Sequence, residues 1–315
     1  MIVRWGIDAL PEVCSAAGLH GPLLVASSRW DDLELSLEPG ARWSEVPSHR
    51  VDEAAALAGG GVVALGGGSA IDLGKAVSAA AHVPLVSVPT TYAGAEWTSY
   101  FGVRDPGRKL RGGGGGADPR GIVYDAELTL DLPRETTVGT SMNALAHCAE
   151  ALYVDGHNKE ADEHALAGAR LIGTWLPRVV DALQDREART ELLRGAYHGG
   201  AALGGSGLAL AHAMAQAIGG RYGLPHGTLN GLCLPPALRW NAQWAPEAVQ
   251  RFHEALGARV VDLAALGGAT RLRELGVPEA DLPGLAETAA GRPGNKANPR
   301  PATPAEIEDL LRSVY

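Results

Sequence analysis

Large rings and cysteines are scarce in this chain. Phe, Trp and Tyr make up only 5% of its 315 residues, whereas 42 are glycine. A core so poor in aromatics has to be built from small and aliphatic side chains in close-packed α/β layers with many tight turns. The three cysteines, Cys14, Cys148 and Cys233, include no CxxC pair and cannot all be bridged. A reducing, cytoplasmic setting is the expectation. No apolar stretch reaches the roughly 18 residues that a transmembrane helix needs, so no membrane partner is expected. Met1–Ala16 mixes charged and apolar residues, so no secretory leader is expected either. Positive charge is also in deficit, with 27 Lys and Arg against 36 Asp and Glu. That balance argues against nonspecific nucleic-acid binding.

What is present has an order. Leu23–Ala26, Val62–Leu65, Pro84–Val88 and Gly121–Tyr124 read as short buried strands, and Ala70–Ala81 as a helix between two of them. Buried strands alternating with helices predict a parallel sheet covered on both faces. From Thr140 onward only helices are expected: one through Tyr153 capped by Thr140 or Ser141, then Glu160–Thr174, Glu187–Leu203, and Leu208–Ile218 ended by Gly219-Gly220. The fold class is thus an α/β dinucleotide-binding domain with a parallel sheet, followed by an all-α domain. The expected boundary lies near Val138-Gly139, giving domains 1–138 and 139–315 with the active cleft between them. Gly112–Gly116 reads as a flexible hairpin or loop tip.

Two segments carry chemistry. The Val62–Leu65 strand runs into Gly66, Gly67, Gly68 and Ser69 and then a helix, a recipe for seating a pyrophosphate on backbone N–H groups. Ser69 and Asp72 have capping-box spacing, and Thr90 and Thr91 end the next strand on the same sheet edge. After Leu23–Ala26 come Ser27, Ser28 and Arg29 rather than an acid. An acid there would grip the ribose and reject a 2′-phosphate, so NADH and NADPH both remain open. In the helical part, Asn143/His147 and His212/Gln216 are each spaced i, i+4, so both members of a doublet share a helix face. With His226 in a Leu-Pro-His-Gly turn, they predict two helices and a loop converging on a metal or a small polar substrate. Cys148, next to His147, turns about 100° away and is expected in the core.

Longer strings carry a resemblance. Gly66–Lys75 (GGGSAIDLGK), Val88–Glu96 (VPTTYAGAE), Ile122–Asp125 (IVYD), Met142–Tyr153 (MNALAHCAEALY), Gly223–Gly227 (GLPHG) and Asn298–Pro301 (NPRP) resemble the iron-dependent alcohol dehydrogenase superfamily. That superfamily shares the dehydroquinate synthase-like fold, and within it the likeness is to maleylacetate reductases. The resemblance implies a cytoplasmic homodimer that uses NADH or NADPH to reduce an unsaturated oxo-diacid. It places cofactor contacts on Gly66, Gly67, Gly68, Ser69, Asp72, Thr90, Thr91, Tyr92, Ser27 and Lys109, and substrate contacts on Arg300 and Asn298. It places catalysis on His147, His212, His226, Asn143, Gln216 and Tyr222.

Metal-dependent relatives hold Fe²⁺ or Zn²⁺ with an Asp and three His, matched here by Asn143, His147, His212 and His226. A neutral amide is a poor ligand for a hard cation, so no metal is expected; one that did bind would use the three His. Gln216 stands where relatives carry a second His and, unlike His, cannot carry a proton. Tyr222, His226 or Tyr92 would then serve as donor. The competing readings are a metal-using or specialised-pathway alcohol dehydrogenase of the same superfamily, and a silent dinucleotide-binding homologue.

Overall fold

The computed structural model describes residues 1–315 throughout. Two compact units emerge, one made of residues 1–91 and 95–129, the other of 92–94 and 130–315. In the first, the strands in chain order are β1 (Ile2–Trp5), β2 (Leu23–Val25), β3 (Ala41–Trp43), β4 (Val62–Gly66), β5 (Pro84–Pro89), β6 (Phe101–Arg104), β7 (Leu110–Gly114) and β8 (Asp118–Tyr124). Six of them form one sheet in the order β1-β8-β5-β4-β2-β3, with every pairing parallel. The helices are α1 (Leu10–Ala16), α2 (Val51–Ala55) and α3 (Gly68–Ala81).

The two faces of the sheet bury different sets of residues, as expected when successive side chains alternate along each strand. Leu24, Val63, Val86 and Val123 pack with Leu10 and Val13 of α1 on one face. Val25, Ala64 and Leu85 pack with Ile71, Leu73 and Val77 of α3 on the other. The two short edge strands β1 and β3 fall where sequence periodicity is too brief to read. Of the hairpin or loop tip expected at the glycine run, a hairpin forms: Gly112–Gly114 are the end of β7, paired antiparallel to β6.

The second unit is helical: α4 (Arg134–Ala151), α5 (Lys159–Asp181), α6 (Arg186–Gly205), α7 (Leu210–Tyr222), α8 (His226–Asn241), α9 (Pro246–Leu256), α10 (Val260–Ala265), α11 (Leu282–Ala290), α12 (Pro293–Lys296) and α13 (Pro304–Arg312). Several differ from expectation in ways the side chains explain. Thr140 does not cap α4. Its hydroxyl donates back to the Thr136 carbonyl at 2.8 Å, as a Ser or Thr inside a helix does. Val138-Gly139 therefore lies within α4 rather than at a boundary, and the helical unit takes up the chain from Leu130. Likewise α7 runs through Gly219-Gly220 and stops at Gly223, whose φ of 69° suits the left-handed cap. No single helix is long and apolar enough to cross a membrane.

Small residues set how closely these helices pack. A Cβ on Gly227 would lie 2.1 Å from the Gly139 carbonyl oxygen, so α4 and α8 meet backbone to backbone. One on Gly199 would lie 2.7 Å from the Ala144 carbonyl, bringing α6 equally close to α4. The abundance of Gly and Ala is thus a packing requirement of this unit.

Candidate active site

The helix crossings of the second unit gather a polar cluster in its core. Asn143 and His147 lie one turn apart on α4, with Nδ2 and Nε2 3.4 Å apart. The Asn143 Nδ2 donates to the Ala93 carbonyl at 2.7 Å, which fixes the amide with Oδ1 facing the histidines. That oxygen lies 3.3 Å from His212 Nε2 on α7 and accepts from Asn230 Nδ2 on α8 at 2.5 Å. The Asn230 amide also lies 3.1 Å from His226 Nε2. The rings of His147 and His212 stack at 4.8 Å, and His226 tilts against His212 at 5.5 Å. All three histidines and Asn143 therefore converge. His226, however, is the first residue of α8 rather than part of a loop.

Two residues that the sequence reading missed complete the cluster. Glu150 is fully buried on α4, and its oxygens accept from the backbone N–H groups of Ala209 (2.8 Å) and His212 (3.1 Å). Both oxygens thus serve as acceptors. His212 Nδ1, 2.6 Å away, must then be a donor, and Nε2 is the atom turned into the cluster. Glu150 stands three residues after His147 and Asn230 four after His226, the same helical spacings that singled out the doublets. Asn230 went unseen because His226 was read as part of a turn.

Electrostatics separate the histidines. His147 is pushed well below the ordinary imidazole range, first by burial and then by His212 and His226, so it stays neutral. Its Nδ1 is buried without a hydrogen-bond partner. Gly94, at φ 74°, lies against that ring: a Cβ there would be 3.2 Å from Nδ1. Burial raises the Cys148 thiol to about 12, in keeping with a core residue.

A hard divalent cation does not fit this donor set. No group of three or more His, Cys, Asp or Glu is arranged to hold one. The Asn143 oxygen is neutral, and the Asn230 NH₂ faces both it and His226 Nε2. Neither amide offers the negative charge that offsets a hard cation's lost hydration.

Other expected site residues are engaged elsewhere. Arg300 pairs with Glu306 at 2.9 Å and lies over the rings of Trp240 and Trp244, which ties α13 to α8, while its buried Nη1 has no partner. Asn298 exchanges amide hydrogen bonds with Asn241 at 2.8 and 3.0 Å. The Tyr222 hydroxyl is bound by Asp281, and desolvation and then that carboxylate raise its pKa, which makes it a poor proton donor. Tyr92 is fully buried, with its hydroxyl accepting from Arg189 at 3.1 Å. Gln216 keeps its place one turn after His212 on α7, partly exposed.

In the α/β unit the glycine loop has the form expected. Gly66 sits at φ 146°, and a Cβ there would lie 2.8 Å from that of Ala70. No side chain caps α3, which starts at Gly68; the Ala70 and Ile71 N–H groups bond the Gly67 carbonyl, which leaves those of Gly68 and Ser69 at the helix start. The expected capping box is absent because Asp72 bonds Lys75 at 2.9 Å and the Gly102 N–H at 3.2 Å. Thr90 follows β5, its N–H bonded to the Gly66 carbonyl at 3.0 Å. The Thr91 methyl lies where a Gly67 Cβ would be 3.0 Å away. Lys109 projects from the exposed β6–β7 turn.

The chain as a whole has counterparts. The profile for "Fe-containing alcohol dehydrogenase family, C-terminal" matches residues 137–315, and that for "Iron-containing alcohol dehydrogenase" matches residues 7–116. The chain belongs to the iron-containing alcohol dehydrogenase family. It is 39% identical over 269 residues to a maleylacetate reductase of Burkholderia cepacia, covering 84% of this chain and 76% of that one. It is 36% identical to maleylacetate reductase 1 of Rhodococcus opacus, covering 100% of this chain and 87% of the relative. The crystal structure of maleylacetate reductase from a Rhizobium species superposes with a TM-score of 0.88 at 32% identity, over 100% of this chain and 95% of that one. The protein is therefore an oxidoreductase with the two-part fold of this family.

Proposed function

We propose that this oxidoreductase reduces the carbon–carbon double bond of a 4-oxo-2-enedioate such as maleylacetate, yielding a 3-oxo-diacid, with NAD(P)H and no catalytic metal. The observation that carries the reading is the Glu150–His212–Asn143 line. A buried carboxylate fixes His212 Nδ1 as a donor and turns Nε2 toward an amide oxygen at 3.3 Å, a long contact that a substrate oxygen can take over.

When bound, NAD(P)H supplies the hydride; Gly66–Ser69 and the first turn of α3 would hold its pyrophosphate. The chain's own residues then handle charge and protons. Hydride addition at the alkene carbon remote from the ketone moves the π electrons onto the ketone oxygen as an enolate. His212, protonated at Nε2 against the Glu150 charge, donates to that oxygen, while the Asn230 and Asn143 amides orient the neighbouring groups. His147, neutral and desolvated, contributes apolar packing and excludes water. The enolate carbon next to the ketone then takes up a proton, which completes the saturated product. Gln216 can hydrogen-bond to the substrate but cannot supply that proton.

The test is to assay purified enzyme with maleylacetate after exhaustive treatment with EDTA. Full activity is expected. Loss of activity that Fe²⁺ or Zn²⁺ restores overturns the metal-free reading, and turnover of simple alcohols or aldehydes in place of the enedioate overturns the substrate.

A further inference from the structure

The sheet order places a crevice at the end of β2. From β2 the chain goes outward to β3 and then returns to β4 on the opposite side of β2, so the topology reverses between β2 and β4. The connection from β2 lies on the face where Trp30, Leu33, Leu35 and Leu37 pack, and α3 leaves β4 on the opposite face. Ligands of open parallel sheets enter such a switch point at the carboxyl ends of the strands. With a pyrophosphate at Gly66–Ser69, the ribose nearest the β2 side lies over Ser27–Asp31.

Two guanidinium groups and two hydroxyls gather at that place. The hydroxyls of Ser27 and Ser28 stand at the strand end, and the Arg29 guanidinium lies 5.2 Å over the Trp30 ring. Arg42 reaches across from β3: its Nη2 bonds the Ser27 carbonyl at 3.3 Å and Asp31 at 2.6 Å, and its Nε is buried with no partner. Asp31 is thus already matched to a guanidinium, and Asp32 follows it in the chain. A dianionic phosphate brought here meets two arginines and two hydroxyls, and can replace Asp31 on Arg42 by exchanging one ion pair for a stronger one.

We propose that Ser27, Ser28, Arg29 and Arg42 form a 2′-phosphate site that makes NADPH the preferred cofactor, with Asp31 as the counter-ion the phosphate displaces. This rests on the dinucleotide reading of the glycine loop. It assigns Arg42, which lies far from the loop in sequence, as a specificity residue.

Equilibrium binding of NADPH and NADH to the purified protein, followed by fluorescence without substrate, tests it. NADPH should bind about tenfold more tightly, the worth of one charge-assisted hydrogen bond. Arg29→Ala and Arg42→Gln should remove that advantage and leave NADH affinity unchanged. Asp31→Asn should strengthen NADPH binding by freeing Arg42. Arg29 is exposed and bears no structural bond, so its variant remains informative if that of Arg42 fails to fold. Equal affinities in the unaltered protein, or losses shared by both nucleotides in the arginine variants, overturn the phosphate site alone. Weaker NADH binding in Asp31→Asn does the same, since it would make Asp31 a ribose ligand. No binding of either nucleotide overturns the dinucleotide reading together with it.

Discussion

Glu150 is the residue on which the proposed chemistry turns. Glu150→Gln keeps an acceptor for the backbone donors but removes the charge beside His212. The expected result is a fall in kcat on the order of a hundredfold, the scale of a lost positioned acid, with dinucleotide binding unchanged. Stopped-flow measurement of hydride transfer together with binding titrations separates the two. A second residue-scale prediction concerns stability. His198 and His164 meet through their Nδ1 atoms at 2.8 Å, and burial followed by the His164 charge lowers His198 to about 4. A depressed imidazole is neutral in the folded protein where the unfolded chain already binds a proton. Its contribution is full above about pH 6.5 and is lost as pH falls toward about 4. His198→Asn should flatten that part of the pH dependence of urea unfolding. At this scale i, i+4 spacing is local, so it singled out Asn143, His147 and His212 from the sequence, and the fold brings them together with His226. It could not show that Arg300, Asn298 and Tyr222 bond Glu306, Asn241 and Asp281, partners that are settled by folding.

Among the elements, α4 and α8 do the most to shape the cluster. Their closest approach at Gly139 and Gly227 lies one turn before Asn143 and Asn230, which is how the two amides come to 2.5 Å. Gly227→Ala should force the helices apart, costing about 1–3 kcal/mol as overpacking does. Turnover should fall more than the lost stability explains, and thermal unfolding read beside kcat at a temperature well below the transition checks this. The strands β2, β4, β5 and β8 and helix α3 were legible as buried apolar runs bounded by glycine or serine. Others were not. β1 and β3 are edge strands of four and three residues, and α4 begins at Arg134 behind Pro133 with no capping side chain. The glycines of α7 were read as a stop, yet only Gly223 takes the left-handed backbone that ends the helix.

At the scale of the whole molecule, the α/β-then-α order was legible, but its division was not. Hydrophobic periodicity reports where one type of element gives way to another. It does not report which residues are claimed by which core. Tyr92, Ala93 and Gly94 follow a strand of the sheet, yet they belong to the helical unit. The buried Arg189 holds them there, with bonds to the Tyr92 hydroxyl, Thr137 and the carbonyls of Leu130, Leu132 and Leu183. Those three residues bear on how such a gene can be cut and recombined. A chimera exchanged at residue 130 would inherit every helix of the second unit, but from the other parent the carbonyl that aims Asn143 and the glycine against His147. Such a hybrid is expected to fold and yet turn over slowly unless residues 92–94 travel with the helices, and grafting that tripeptide back should restore its rate. For an exchange of parts, this enzyme's helical half begins twice.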